Sequence, residues 1–386
     1  MTKQQKILRC IILAAIAAFS CAAYVAFAFF FDVFKEAWAI LLLPIVSILP
    51  LFLSKKHIHK VLFIVLICVL TILSVAASTG VAVVATSVPA YGQKPSSGSV
   101  TIYNYSESFM KQNYDINQKT QIKVWLPQNY REDKKYPVLY LLDGDVNFNY
   151  ASIVAANHSE NGDGDMIVVG IGYGYWNSTF ARGGIVWQDQ KHLRGRWRDF
   201  YFADDTQIDY YTGCVMGGKY KRGKQYTEFI VNTVVADIRT RYSTDVNNST
   251  LLGHSMGGSI AAYFLTQYDP AKGSDNPFTN FIIADNGFLE YNDLHFADVE
   301  AKLSVNGNRA HTEINVYRLW GGDVSPSENY LQIEQYERIE QMNWQGVNNY
   351  IYIPDGANHS DTITISIDQA ENLLLGMNFQ YDKTNK

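Results

Sequence analysis

The segment Gly253-His254-Ser255-Met256-Gly257-Gly258 follows the apolar run Thr250-Leu251-Leu252 and precedes Ile260-Ala261-Ala262-Tyr263-Phe264. A serine held between a buried strand and a helix must sit on a sharp turn, which leaves few folds open. The strand needs parallel neighbours, and the helix needs a sheet to pack against. Gly253 and Gly257 stand where the backbones of such a turn crowd together. The turn lifts the serine hydroxyl out of the sheet and points the positive end of a helix at any developing oxyanion. The plainer reading of the same glycines is a packing turn.

The surrounding sequence alternates as this motif requires. Val100–Tyr105 and Gln121–Leu126 carry alternating apolar residues and read as strands. Tyr136–Leu142 and Met166–Ile171 are near-continuous apolar runs, expected of strands covered on both faces. Tyr226–Arg241 has helical spacing, and Ser249–Leu252 is the strand that leads into the serine. Phe281–Ala284, Ile314–Leu319 and Tyr350–Ile353 read as further strands, with helices over Ile260–Tyr268, Glu328–Met342 and Ile363–Leu375. Strands alternating with helices predict an α/β domain with a mostly parallel sheet over 100–386. The segment from Gly172 to Gln225 lacks this alternation and is rich in Gly, Tyr, Trp and Arg, which predicts a substrate-side lid or wall. Its alternative is a structural excursion that packs its own aromatics.

The front of the chain is different. Apolar stretches run from Ile7 to Phe31, Ala37 to Leu53 and Val61 to Val88. A helix crosses a bilayer core with roughly 17–25 apolar residues, so residues 1–90 are predicted to form a three-helix membrane anchor. The second stretch is near the lower limit and contains Pro44 and Pro50. Lys3, Lys6 and Arg9 precede the first span, and Lys55, Lys56 and Lys60 separate the second from the third. Positive loops stay in the cytoplasm, so the N-terminus is expected inside and everything after Val88 outside, reached through a linker over 91–99. A long signal sequence cleaved near Ala90 is the competing reading.

Charge follows the same division. Up to Tyr91 there are seven basic and two acidic residues, which leaves 25 basic and 35 acidic in the remainder. An acidic body does not suit nucleic acid. Cys10, Cys21 and Cys68 lie in the apolar stretches and Cys214 is alone in the body, so no disulfide within the body is expected. No histidine–carboxylate spacing suggests a metal site, and no cofactor is implied.

A serine is inert until a base takes its proton. The base is expected last in the chain, after the final strand. Of the body histidines, His359 has that place, in Pro354-Asp355-Gly356-Ala357-Asn358-His359-Ser360. His254, adjacent to the serine, is assigned a packing role. The orienting acid is expected after the penultimate strand, at Asp323 of Trp320-Gly321-Gly322-Asp323, with Glu328 in reserve and Asp285 third. Each of these could instead cap a helix or be a solvated carboxylate. The oxyanion donors are expected to be the N–H of Met256 and an N–H near Asp145, in Leu142-Asp143-Gly144-Asp145-Val146.

Taken together, YPVLYLLDGD, LLGHSMGG followed by a helix, WGGD after a strand and GANHS near the end resemble the esterase D / enterochelin-esterase / antigen 85 group of α/β-hydrolases. The resemblance spans Val100 to Leu375. It implies a Ser-His-Asp/Glu hydrolase or acyltransferase with little separate cap domain: Ser255 as nucleophile, His359 as base and Asp323 as acid, or a glutamate nearer Glu328. The three-span front and the long segment after Gly172 depart from the group. The expectation is therefore a membrane-anchored, extracytoplasmic serine esterase acting on a small-molecule or cell-envelope ester. An acyltransferase using the same residues on an envelope acceptor, or a non-catalytic receptor on a hydrolase scaffold, are the alternatives.

Overall fold

The computed structural model describes residues 93–174, 195–200 except 197, 222–266, 277–285, 309–322, 333, 336–337, 340–341 and 345–383. The expected membrane spans lie outside them. Among the described residues no helix is long and apolar enough to cross a membrane.

Nine strands form one sheet in the order β1-β2-β4-β3-β5-β6-β7-β8-β9. They are β1 Ser99–Tyr105, β2 Thr120–Leu126, β3 Tyr136–Leu142, β4 Ile167–Gly172, β5 Thr244–His254, β6 Asn280–Ala284, β7 Arg309–Leu319, β8 Gln345–Tyr352 and β9 Asp382–Lys383. From β4 through β8 every pairing is parallel. β1 and β2 add an antiparallel edge on one side and β9 on the other. This is the mostly parallel α/β sheet that the sequence predicts.

Parallel strands need crossovers, and those crossovers cover both faces. Side chains alternate along each strand, so β3 sends Tyr136, Val138, Tyr140 and Leu142 to one core and Leu139 and Leu141 to the other. The first core is closed by a helix running through α3 Gly223–Phe229, a π-helical stretch Ile230–Val235 and α4 Ala236–Arg241, and by α5 Met256–Thr266. The second is closed by α2 Gly144–Asn161 and α6 Thr362–Leu374. A short helix, α1 Glu107–Tyr114, is capped by Ser106, whose side chain accepts from the Phe109 N–H at 3.2 Å.

Helix α2 has no counterpart in the sequence reading, for a physical reason. Apart from Phe148 and Asp145, its buried residues are Gly144, Ala151, Ser152, Ala155 and Ala156, so it shows no stripe of large apolar side chains. The small residues serve close approach instead. A Cβ on Gly144 would lie 2.4 Å from the carbonyl carbon of Gly170, so the helix starts almost on top of β4. Strand β5 is longer than its apolar core suggests, because its N-terminal half, with Val246 and Asn247 exposed, carries no apolar signal.

Register across the parallel strands is fixed by a polar ladder. Thr250, Asn280, Asn315 and Asn348 are partners on β5, β6, β7 and β8. Asn280 Nδ2 donates to Thr250 Oγ1 at 3.1 Å, Asn315 Nδ2 to Asn280 Oδ1 at 2.9 Å, and Asn348 Nδ2 to Asn315 Oδ1 at 2.9 Å. A slip of one residue would break the chain of amides and turn each strand's apolar set to the wrong face. Asn315→Val leaves the buried Asn280 carbonyl without its donor and should cost about 1–3 kcal/mol. Urea unfolding measures this, and an unchanged midpoint would show that the ladder does not secure the register.

Helix α6 also carries a buried acid. Glu371 is 0% exposed, and neither carboxylate oxygen has a hydrogen-bond partner among the described residues. Burial first, and Asp368 second, push its carboxyl well above the usual 4.5. The folded protein therefore keeps a proton that the unfolded chain gives up above that value. Stability should fall as pH rises past about 4.5. Glu371→Leu should raise stability at pH 8 more than at pH 5, and equal gains at the two pH values would refute a retained proton.

Candidate active site

Parallel strands end on one edge of the sheet, and three of these ends carry a non-glycine residue in the left-handed region. Asp143 follows β3 with φ 54°, Ser255 follows β5 with φ 57° and Asp285 follows β6 with φ 38°. Such residues cost of order 1–3 kcal/mol each and persist where the surroundings over-determine them. Here the surroundings are visible. The Ser255 N–H donates to Ala284 O at 2.9 Å and the Asp285 N–H to Leu319 O at 2.8 Å, so each turn hangs on the next strand.

The serine turn is as crowded as its glycines suggest. A Cβ on Gly253 would lie 2.0 Å from Gly257 O, a distance no side chain can occupy. A Cβ on Gly257 would meet Asp143 Oδ2 at 3.3 Å and Phe200 at 3.7 Å. Helix α5 begins at Met256, directly after the serine, so the Met256 N–H belongs to the first turn, whose donors lack intrahelical partners.

His359 lies in the loop between β8 and α6, and that loop is tied down locally. Asn358 Oδ1 accepts from the N–H groups of Ser360 (2.8 Å) and Asp361 (3.3 Å), while Asp361 Oδ2 accepts from the Asn358 N–H at 3.0 Å. The Gly322 N–H donates to Pro354 O at 3.0 Å. The imidazole is half exposed, with Nδ1 3.7 Å from Oδ2 of Asp285, whose side chain is 1% exposed. That is ion-pair distance rather than a formed hydrogen bond, as is common before substrate draws a site together.

Asp285 is thus the carboxylate that the described structure brings to His359. Its Oδ2 accepts from Thr362 Oγ1 at 2.5 Å and its Oδ1 from the Gly321 N–H at 3.3 Å. The Trp320-Gly321-Gly322 motif therefore meets the site through a backbone amide. Asp323 and Glu328 lie outside the described residues. The sequence signal for Asp285 is its place immediately after the apolar run Phe281–Ala284, at a parallel strand's C-terminal end.

His254 does more than pack. Its Nε2 lies 2.8 Å from His359 O and 3.0 Å from Thr362 Oγ1, and its ring centroid is 4.6 Å from that of His359. Burial, then His359, then Arg196 hold its pKa down to about 3. The donor atoms of His254, Asp285 and His359 lie within 4.8 Å of one another, a set that zinc accepts chemically. A carbonyl can only accept, however, so the Nε2 of His254 that faces it carries a proton and offers no lone pair there.

Asp145 and Asp143 frame the other side. The Asp145 carboxylate accepts from the N–H groups of Tyr173 (2.6 Å) and Gly174 (2.9 Å), which binds the start of α2 to the end of β4. Asp143 forms a buried ion pair with Arg196, whose Nη2 donates to Oδ2 at 2.9 Å while Nε stands 2.6 Å from Oδ1. Next to it Arg198 grips Asp199 at 2.6 and 2.5 Å. These pairs set Phe200 beside Gly257. Most of the expected lid, 175–194 and 201–221, lies outside the described residues.

A mostly parallel sheet with such a turn at the end of a central strand is an α/β-hydrolase-like fold. Comparison with known proteins agrees: the esterase family described as "Putative esterase" matches residues 114–202 and 203–271. This bears out the resemblance to the esterase group. A BES protein from Bacillus cereus is similar in structure, with a TM-score of 0.53 at 20% identity over 71% of this chain and 94% of that one. So is the siderophore hydrolase EstB from Aspergillus nidulans, at 0.53 and 16% over 75% and 96%. The enterobactin and salmochelin hydrolase IroE scores 0.51 at 14% over 73% and 96%. At these identities the likeness concerns the fold. No curated protein matches the chain.

The two glycines of the turn make a direct test. Gly253→Ala should abolish fluorophosphonate labelling of Ser255 and lower the melting temperature, while Gly257→Ala, with its 3.3 Å contact, should be milder on both counts. Equal damage from the two would contradict the crowding seen at Gly253.

Proposed function

We propose that the protein is a membrane-anchored, extracytoplasmic serine esterase that cleaves carboxylic esters through an acyl-enzyme. The observation that carries this reading is the 3.7 Å approach of the half-exposed His359 imidazole to the buried carboxylate of Asp285, which follows the strand next to the one that ends at the left-handed turn of Ser255. Ser255 Oγ attacks the ester carbonyl while His359 takes its proton. Asp285 holds the imidazole and stabilises its charged form. The Met256 N–H and the backbone at Asp145 receive the oxyanion. The alcohol leaves with the proton from His359, and water, activated by the same imidazole, releases the acid.

Asp285 replaces the sequence choice of Asp323 in this reading, on the support of its 3.7 Å approach and its buried, hydrogen-bonded carboxylate. Anchoring and outside placement rest on the apolar stretches before Val88 and their flanking lysines. Siderophores, named for EstB, and enterobactin and salmochelin, named for IroE, belong in the first substrate panel beside simple acyl esters.

Ser255→Ala should abolish turnover of p-nitrophenyl esters, and Asp285→Asn should lower kcat by about 10³–10⁴-fold, as expected when the imidazole loses its orienting charge. Asp323→Asn should leave kcat within a few-fold of wild type. The opposite ranking of the two aspartates would move the acid to Asp323.

A further inference from the structure

The contacts around Thr362 favour one placement of its hydroxyl proton. Thr362 Oγ1 lies 2.5 Å from Asp285 Oδ2 and 2.8 Å from His359 O, but a hydroxyl has one hydrogen and can satisfy only one of these acceptors. His254 Nε2 lies 2.8 Å from the same His359 carbonyl and 3.0 Å from Thr362 Oγ1. If the imidazole N–H serves the carbonyl, the hydroxyl is released to Asp285, its shorter contact. The geometry points to His254 as a positioning residue that directs the Thr362 hydroxyl proton onto Asp285 and so sets how strongly the acid favours a protonated His359. This inference rests on the triad reading above and deepens it.

The sequence supplies this arrangement by adjacency. His254 is the last residue of β5 and Thr362 the first of α6, so the nucleophile turn and the base loop meet through these two side chains. Thr362 and Asp285 are both buried, which keeps water from offering the carboxylate a substitute donor. His254 stays neutral under working conditions, so it presents one N–H in a fixed tautomer. The charged and titratable groups that face it, among the described residues, are His359 from the base loop and Arg196 from segment 195–200. Asp285 reaches the same cluster from the end of β6, and Asp361 belongs to the base loop with its carboxylate turned to the Asn358 N–H.

Removing the His254 N–H has a predictable sign. The Thr362 hydroxyl turns to the His359 carbonyl, and Asp285 Oδ2 loses that donor. A carboxylate with one hydrogen bond fewer is more basic and stabilises the protonated imidazole beside it more strongly. Ester cleavage needs His359 neutral, so the acidic limb of the kcat/KM profile moves to higher pH.

The test is the pH dependence of kcat/KM for p-nitrophenyl butyrate, using the full chain in detergent. His254→Phe and Thr362→Val should each move the acidic limb upward by about 0.5–1 pH unit, and the double variant no further than Thr362→Val alone. His254→Gln, which can donate to the carbonyl, and Thr362→Ser should hold the limb near its wild-type position. An unshifted limb in both His254→Phe and Thr362→Val overturns the inference, as does a double-variant shift equal to the sum of the singles. Should His254→Phe fail to fold, the contrast of Thr362→Val with Thr362→Ser, read together with His254→Gln, decides in the same way. Ser255→Ala separates the two levels: retained turnover there defeats the triad reading itself, whereas a dead Ser255→Ala with unshifted limbs defeats only the role of His254.

Discussion

The collision that would follow from any side chain at Gly253 governs the rest of the site. Because Gly257 O comes within 2.0 Å of where a Cβ would stand, β5 and α5 can join in a turn tight enough to force Ser255 to φ 57°. The turn does not hold itself. Its amide is bonded to Ala284 O, and the next turn, at Asp285, is bonded in the same way to Leu319 O. The strain of each left-handed residue is thus met by the neighbouring parallel strand. The register of those strands is in turn secured by the Thr250–Asn280–Asn315–Asn348 ladder. A hydrolytic site at the edge of this sheet depends on hydrogen bonds laid across it several residues earlier.

Electrostatics are built on the same edge. Buried carboxylates are costly unless they are bonded or paired. Asp143 is paired with Arg196, Asp145 accepts two backbone amides, and Asp285 accepts a hydroxyl and an amide while facing His359. Among the described residues Asp285 has a half-exposed imidazole next to it, which suits it to the proposed proton transfer, whereas the contacts of Asp143 and Asp145 fasten loops. Glu371 shows the contrast: buried with neither kind of partner, it keeps its proton.

Much of this was legible beforehand, and the misses have definable causes. The strands of the parallel core announced themselves as apolar runs because they are covered on both faces. Ser255 and His359 were legible as candidate nucleophile and base because chain order and turn chemistry restrict those roles. Helix α2 was not, since it packs through alanine, serine and glycine and shows no apolar stripe. The choice among the candidate acids was not legible for a similar reason. Two aspartates follow apolar runs near the serine motif, at 285 and 323, and linear order does not say which carboxylate turns toward residue 359.

The sequence by itself determined the α/β alternation and the strand–serine–helix turn, because these follow from local periodicity and local backbone sterics. It also set apart the apolar, basic front from the acidic body. Only the tertiary structure decided that Asp285 meets His359, and that His254 and Thr362 share one proton network with them. Those contacts join residues 74 to 108 positions apart, and they exist because parallel strands deliver distant segments to a single edge.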